Sequence, residues 1–64
     1  MKWIDIHEIA IELSEKHDDY DPAYILFTDL HALVLNLKDF DDDPNNSNEK
    51  ILEAIQMAWI EEQD

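Results

Sequence analysis

Residues 21–37 read Asp21-Pro22-Ala23-Tyr24-Ile25-Leu26-Phe27-Thr28-Asp29-Leu30-His31-Ala32-Leu33-Val34-Leu35-Asn36-Leu37, and this stretch decides the fold. Asp21 offers a side-chain cap, and Pro22 stands at a first helical position, where its missing N–H does no harm. Tyr20 and Ile25 have the spacing of a hydrophobic staple. Only a turn or two can follow, because Thr28 offers a second cap and Leu30, Leu33, Val34 and Leu37 start a new stripe of helical period. Two helices therefore meet at a tight corner.

Upstream of the corner, Ile6, Ile9, Ala10 and Leu13 recur at i, i+3, i+4 and i+7, with Glu8, Glu12 and Glu15 mainly on the opposite side. That pattern predicts an amphipathic helix. Asp5 is placed to cap it, Glu8 stands at the third position as in a capping box, and Ile4 is spaced to staple against Ile9. Downstream, the run from Asp39 to Asn48 is polar and rich in turn formers, which predicts a loop, with Phe40 pinning it to the core. A last helix starts near Asn46 to Asn48 and carries Ile51, Leu52, Ile55, Ala58 and Trp59 on a broad apolar face, with Ile60 close by. The expectation is a mainly α, small helical domain of four short helices spanning 1–64, with a helix-turn-helix-like arrangement.

A chain of 64 residues lies near the lower limit for folding on a hydrophobic core alone, so large side chains are needed inside. Trp3 and Trp59 are assigned to that core. With 45% hydrophobic residues the chain is too apolar for a disordered tail, yet no apolar run approaches the roughly 18 residues that span a bilayer. No membrane insertion is expected. The opening Met1-Lys2-Trp3-Ile4-Asp5-Ile6 has neither a secretory nor a transit-peptide pattern, which makes a cytoplasmic protein the expectation.

Seventeen acidic residues face four lysines and no arginine, a formal charge of −13. Such a field repels phosphate and attracts cations or a basic protein surface. Helix-turn-helix geometry alone does not make a DNA reader, which needs basic residues on the phosphates and favours arginine at guanine. Nucleic acid is excluded as a partner. The absence of glycine and cysteine removes glycine-rich phosphate loops, cysteine nucleophiles and thiolate metal sites, and Ser14 and Ser47 have no triad context. The chain is not read as an enzyme.

Asp39, Asp41 and Asp43 stand at positions 1, 3 and 5 of a calcium-loop pattern, but Pro44 replaces the required glycine and Lys50 the closing bidentate glutamate. A calcium loop is therefore rejected. What remains is either a solvated acidic loop or an open set of oxygen donors suited to weak, exchangeable binding of hard divalent cations, including iron(II). In the second acidic stretch, Asp18-Asp19-Tyr20-Asp21, Asp21 caps the next helix and its neighbours keep the loop soluble, with an electrostatic docking surface as the alternative. His7, His17 and His31 include no chelating i, i+4 pair, which argues against a zinc site.

Three segments carry a resemblance: Trp3-Ile4-Asp5-Ile6-His7-Glu8-Ile9-Ala10; Asp21-Pro22 leading into Phe27-Thr28-Asp29-Leu30-His31; and Phe40-Asp41-Asp42-Asp43-Pro44 continuing through Ser47 and Ile55 to Trp59. In order and spacing they resemble the IscX family, also called YfhJ. The resemblance implies a modified winged-helix fold, a bacterial cytoplasmic setting, binding to the cysteine desulfurase IscS, and weak binding of Fe(II) or Fe(III) through acidic side chains without a tightly bound cofactor. It also implies competition with bacterial frataxin at a basic surface of the desulfurase. The expected function is that of an acidic adaptor or regulator of iron-sulfur cluster assembly, with an iron carrier delivering Fe(II) to the assembly scaffold as the alternative. By the family's motifs, Asp39, Asp41, Asp42 and Asp43 are candidate metal and partner residues, and Asp29 with His31 are candidate partner residues. Glu8 and Glu12 join the partner surface by helix spacing.

Overall fold

The computed structural model describes residues 1–63. Helix α1 spans Ile6–Lys16, α2 spans Phe27–Leu35 and α3 spans Glu49–Glu62; single 3-10 turns, Pro22–Tyr24 and Pro44–Asn46, precede α2 and α3. There is no β-strand among the described residues, so the fold is mainly α, as expected, and carries no β-hairpin wing there. The predicted second helix is the first 3-10 turn, at the short end of the expected turn or two.

Helix α3 packs chiefly along α1, and also against α2 and the first 3-10 turn. Burial follows the sequence periodicity. Ile9, Ala10 and Leu13 come from α1, Leu30 and Val34 from α2, and Leu52, Ile55 and Trp59 from α3. Ile25 and Leu37, just outside α2 at either end, are also buried, and Trp3 closes the core from before α1. Both tryptophans are core residues, at 1% and 0% exposure for Trp3 and Trp59.

Two Asp-Pro pairs build the turns by one device. Asp21 Oδ1 accepts from Ala23 N at 3.0 Å, and Asp43 Oδ1 accepts from Asn45 N at 2.9 Å. In each case the proline fixes the first turn position and the aspartate satisfies a free amide two residues on. The second of these lies inside the stretch from Asp39 to Asn48, for which the sequence predicts a loop. Gln56 of α3 and Gln63 just past its end tie the first corner down: Gln56 Nε2 donates to Pro22 O at 2.8 Å and Gln63 Nε2 to Tyr20 O at 3.0 Å. No described residue has a positive φ, so every turn is made from right-handed and extended backbone.

Capping departs from expectation at two helices. Asn48, at the end of the stretch where the last helix was expected to start, caps α3, its Oδ1 accepting from Ile51 N at 2.9 Å. Helix α2 instead starts one residue before Thr28, with Leu26 as an extended N-cap that has no side-chain bond. Half-buried Phe27 packs against the core and draws the helix start forward, leaving Thr28 inside the first turn. Asp5 occupies the N-cap position of α1 but caps nothing through its side chain, because its Oδ2 accepts from Lys2 N at 2.8 Å. The expected staple is also absent: Ile4 is 80% exposed, while Ile9 is fully buried.

Candidate functional site

The acidic stretch after α2 is held in shape by the first three residues of the chain. Asp41 N donates to Met1 O at 2.9 Å, and the Met1 ammonium donates to Asp39 O at 2.7 Å. Lys2 Nζ donates to Asp41 O and lies 3.6 Å from Asp41 Oδ2. Trp3 N donates to Asp42 Oδ2 at 3.1 Å, and the Trp3 indole Nε1 donates to Asp43 O at 2.8 Å. The segment before α1 is thus clasped against residues 39–43.

The Trp3 ring is the hub of this clasp. His31 stacks on it at 5.2 Å and 25°, and Phe40 meets it edge-on at 4.8 Å and 72°. Phe40 therefore pins the loop to the core as the sequence suggested. His31 Nε2 lies 2.8 Å from Pro44 O. A carbonyl can only accept, so Nε2 carries the proton and His31 donates to the loop. Its ring bridges α2, Trp3 and the second 3-10 turn.

Asp42 is the most heavily bonded of the acids. It accepts from Trp3 N, from its neighbour Asp43 N at 2.7 Å and from Asn46 Nδ2 at 2.9 Å. The Trp3 N–H first, then the Asn46 amide, hold its carboxyl below the ordinary carboxylate range, with further help from Asp43 N–H and the positive charge of Lys2. Its carboxylate works inward. Asp43 Oδ1 is likewise committed to Asn45 N, whereas Asp39 offers its backbone carbonyl to the clasp and its carboxylate bonds to none of the described residues.

The four aspartates of the loop therefore do not form one cage. Asp39, Asp41 and Asp43 are exposed and Asp42 is half-buried. Among the described residues, no group of three or more histidine, aspartate or glutamate side chains is placed to hold a metal ion. His31 joins the loop through Pro44 O and is half-buried. Asp29 is exposed on α2, Glu8 exposed and Glu12 half-buried on α1, and none of the three bonds to the loop among the described residues.

The whole chain, residues 1–64, matches the family described as iron-sulphur cluster assembly. The chain belongs to this family, the IscX family. It is also 55% identical over 64 residues to an uncharacterized protein of Pseudomonas aeruginosa, covering 100% of this chain and 97% of that protein. In this IscX-family chain no helix among the described residues is long and apolar enough to cross a membrane.

Sequence reasoning missed the parts played by Lys2, Asn46 and the polar edge of Trp3. Trp3 was assigned to the core, but its indole N–H reaches a loop carbonyl 40 positions away in sequence. No local pattern signals such a contact. The turn at Asp43-Pro44 did carry a signal, since it repeats the Asp21-Pro22 pair that was read as a cap.

Proposed function

We propose that this IscX-family protein is a non-catalytic, acidic adaptor of iron-sulphur cluster assembly that docks on a basic surface of the cysteine desulfurase IscS and regulates it in the cytoplasm. One observation carries the reading: a chain of charge −13 exposes Asp39, Asp41 and, with one oxygen tied to Asn45 N, Asp43 on a loop held in one shape by Trp3, Asp42 and His31. Opposite charge speeds encounter and fixes orientation. A pre-shaped loop also loses less freedom on binding than a floppy one. Asp29, Glu8 and Glu12 extend the same negative field, and bacterial frataxin competes for the basic surface.

The iron-carrier reading draws on the same carboxylates. It asks them to gather round one ion, yet Asp42 and Asp43 already accept protein N–H groups and no three-ligand group is in place among the described residues. Weak, exchangeable Fe(II) or Fe(III) at the open carboxylates accompanies docking in our reading, without a tightly bound cofactor. The test is a titration into the desulfurase at low and high salt with wild type and a variant carrying Asp39→Asn, Asp41→Asn and Asp43→Asn. Affinity falls as salt rises, and falls further in the variant. Affinity indifferent to both salt and substitution would sink the reading.

A further inference from the structure

Among the described residues one ion pair forms, and it lies on the docking loop: Lys2 Nζ to Asp41 Oδ2 at 3.6 Å. Lys2 is steered there by its neighbours. Its own N–H donates to Asp5 Oδ2 at 2.8 Å, and the next residue, Trp3, is buried and bonded to Asp42 and Asp43. The ammonium also donates to the Asp41 carbonyl. Yet both side chains stay open to water, at 54% exposure for Lys2 and 91% for Asp41. A pair this exposed is weak and exchanges readily.

We propose that Lys2 is a built-in competitor for the docking loop, occupying Asp41 in the free protein until a cationic group of the partner displaces it. The inference rests on the loop being the docking surface. Competition of this kind lowers apparent affinity in proportion to the fraction of molecules in which the carboxylate is open. For an exposed pair the factor is about two- to five-fold. It is the same whether the partner presents lysine or arginine, because it depends only on the free protein.

The experiment is a double-mutant cycle with the cysteine desulfurase as probe, using wild type, K2Q, D41N and K2Q/D41N at about 0.15 M salt, where distant charges are screened. K2Q tightens binding about two- to five-fold, D41N weakens it, and K2Q adds nothing in the D41N background. An equal gain in both backgrounds overturns the proposal, since removal of a positive charge would then be acting at a distance. No gain from K2Q, with D41N still weakened, overturns it while leaving the docking reading intact. Wild-type binding by D41N and by the three-aspartate variant would remove the docking reading, and the Lys2 proposal with it. Amide exchange at Asp41, whose N–H is bonded to Met1 O, shows whether the clasp survives each substitution; Lys2→Met, which keeps the stem, replaces K2Q if it does not.

Discussion

Exchanging each tryptophan for phenylalanine separates two buried indoles that differ in one bond. Trp3 and Trp59 are both fully inside, but Trp3 Nε1 donates to Asp43 O at 2.8 Å, whereas Trp59 Nε1 has no hydrogen-bond partner among the described residues. Trp→Phe removes a few ring atoms, worth about 2 kcal/mol of burial at either site. At Trp3 the lost hydrogen bond adds about 1 kcal/mol. At Trp59 the change also deletes an unsatisfied buried donor, which by itself stabilises by about 1–3 kcal/mol. W3F therefore loses about 3 kcal/mol and W59F is close to neutral, within about 1 kcal/mol. In a domain this small each kcal/mol moves Tm by about 4–8 °C, so W3F melts at least about 10 °C lower. Urea and thermal melts followed by far-UV circular dichroism measure both variants. If W59F proves as destabilising as W3F, Trp59 Nε1 is not the unsatisfied donor described, and if W3F loses no more than the burial of about 2 kcal/mol, the Trp3 indole bond does not hold the loop.

The lowered pKa of Asp42 fixes a sign for acid stability. A carboxyl depressed in the folded chain stabilises the fold above its unfolded value, and that contribution is lost as pH falls through the folded value. The Asp42 contribution is therefore lost below about pH 4, and D42N, which lacks it, shows a flatter acid response than wild type; urea melts at successive acidic pH values compare the two, and parallel curves would refute the role given to Asp42. Replacing the α3 cap, Asn48→Ala, removes the acceptor for Ile51 N and lowers stability by about 1 kcal/mol, measurable by the same melts.

The elements legible in the sequence are those set by neighbours along the chain. Ile9, Ala10 and Leu13 on α1, and Leu52, Ile55 and Trp59 on α3, show their helical spacing directly, and each triplet is buried. Asn48 and the Asp21-Pro22 pair act within three residues, so their roles could be read locally. The clasp could not. Its bonds join positions 38 to 40 apart, and whether Asp42 faces Trp3 or solvent is decided by the packing of Trp3 between His31 and Phe40. The same distant packing took Asp5 from its cap and left Ile4 outside, because residues 1–5 follow the loop and not the helix behind them. As for the candidate site, the stretch of chain was legible, but the division between inward Asp42 and outward Asp39 and Asp41 was not.

The chain has no glycine and its described backbone never enters the left-handed region. Each bend is therefore open to residues that carry a side chain, including positions that many folds reserve for a bare hydrogen. Here those bends hold Asp18, Asp19, Asp21, Asp39, Asp41, Asp42 and Asp43. Seven of the seventeen acidic residues thus sit in the connections between helices, at positions a glycine would have left without a side chain.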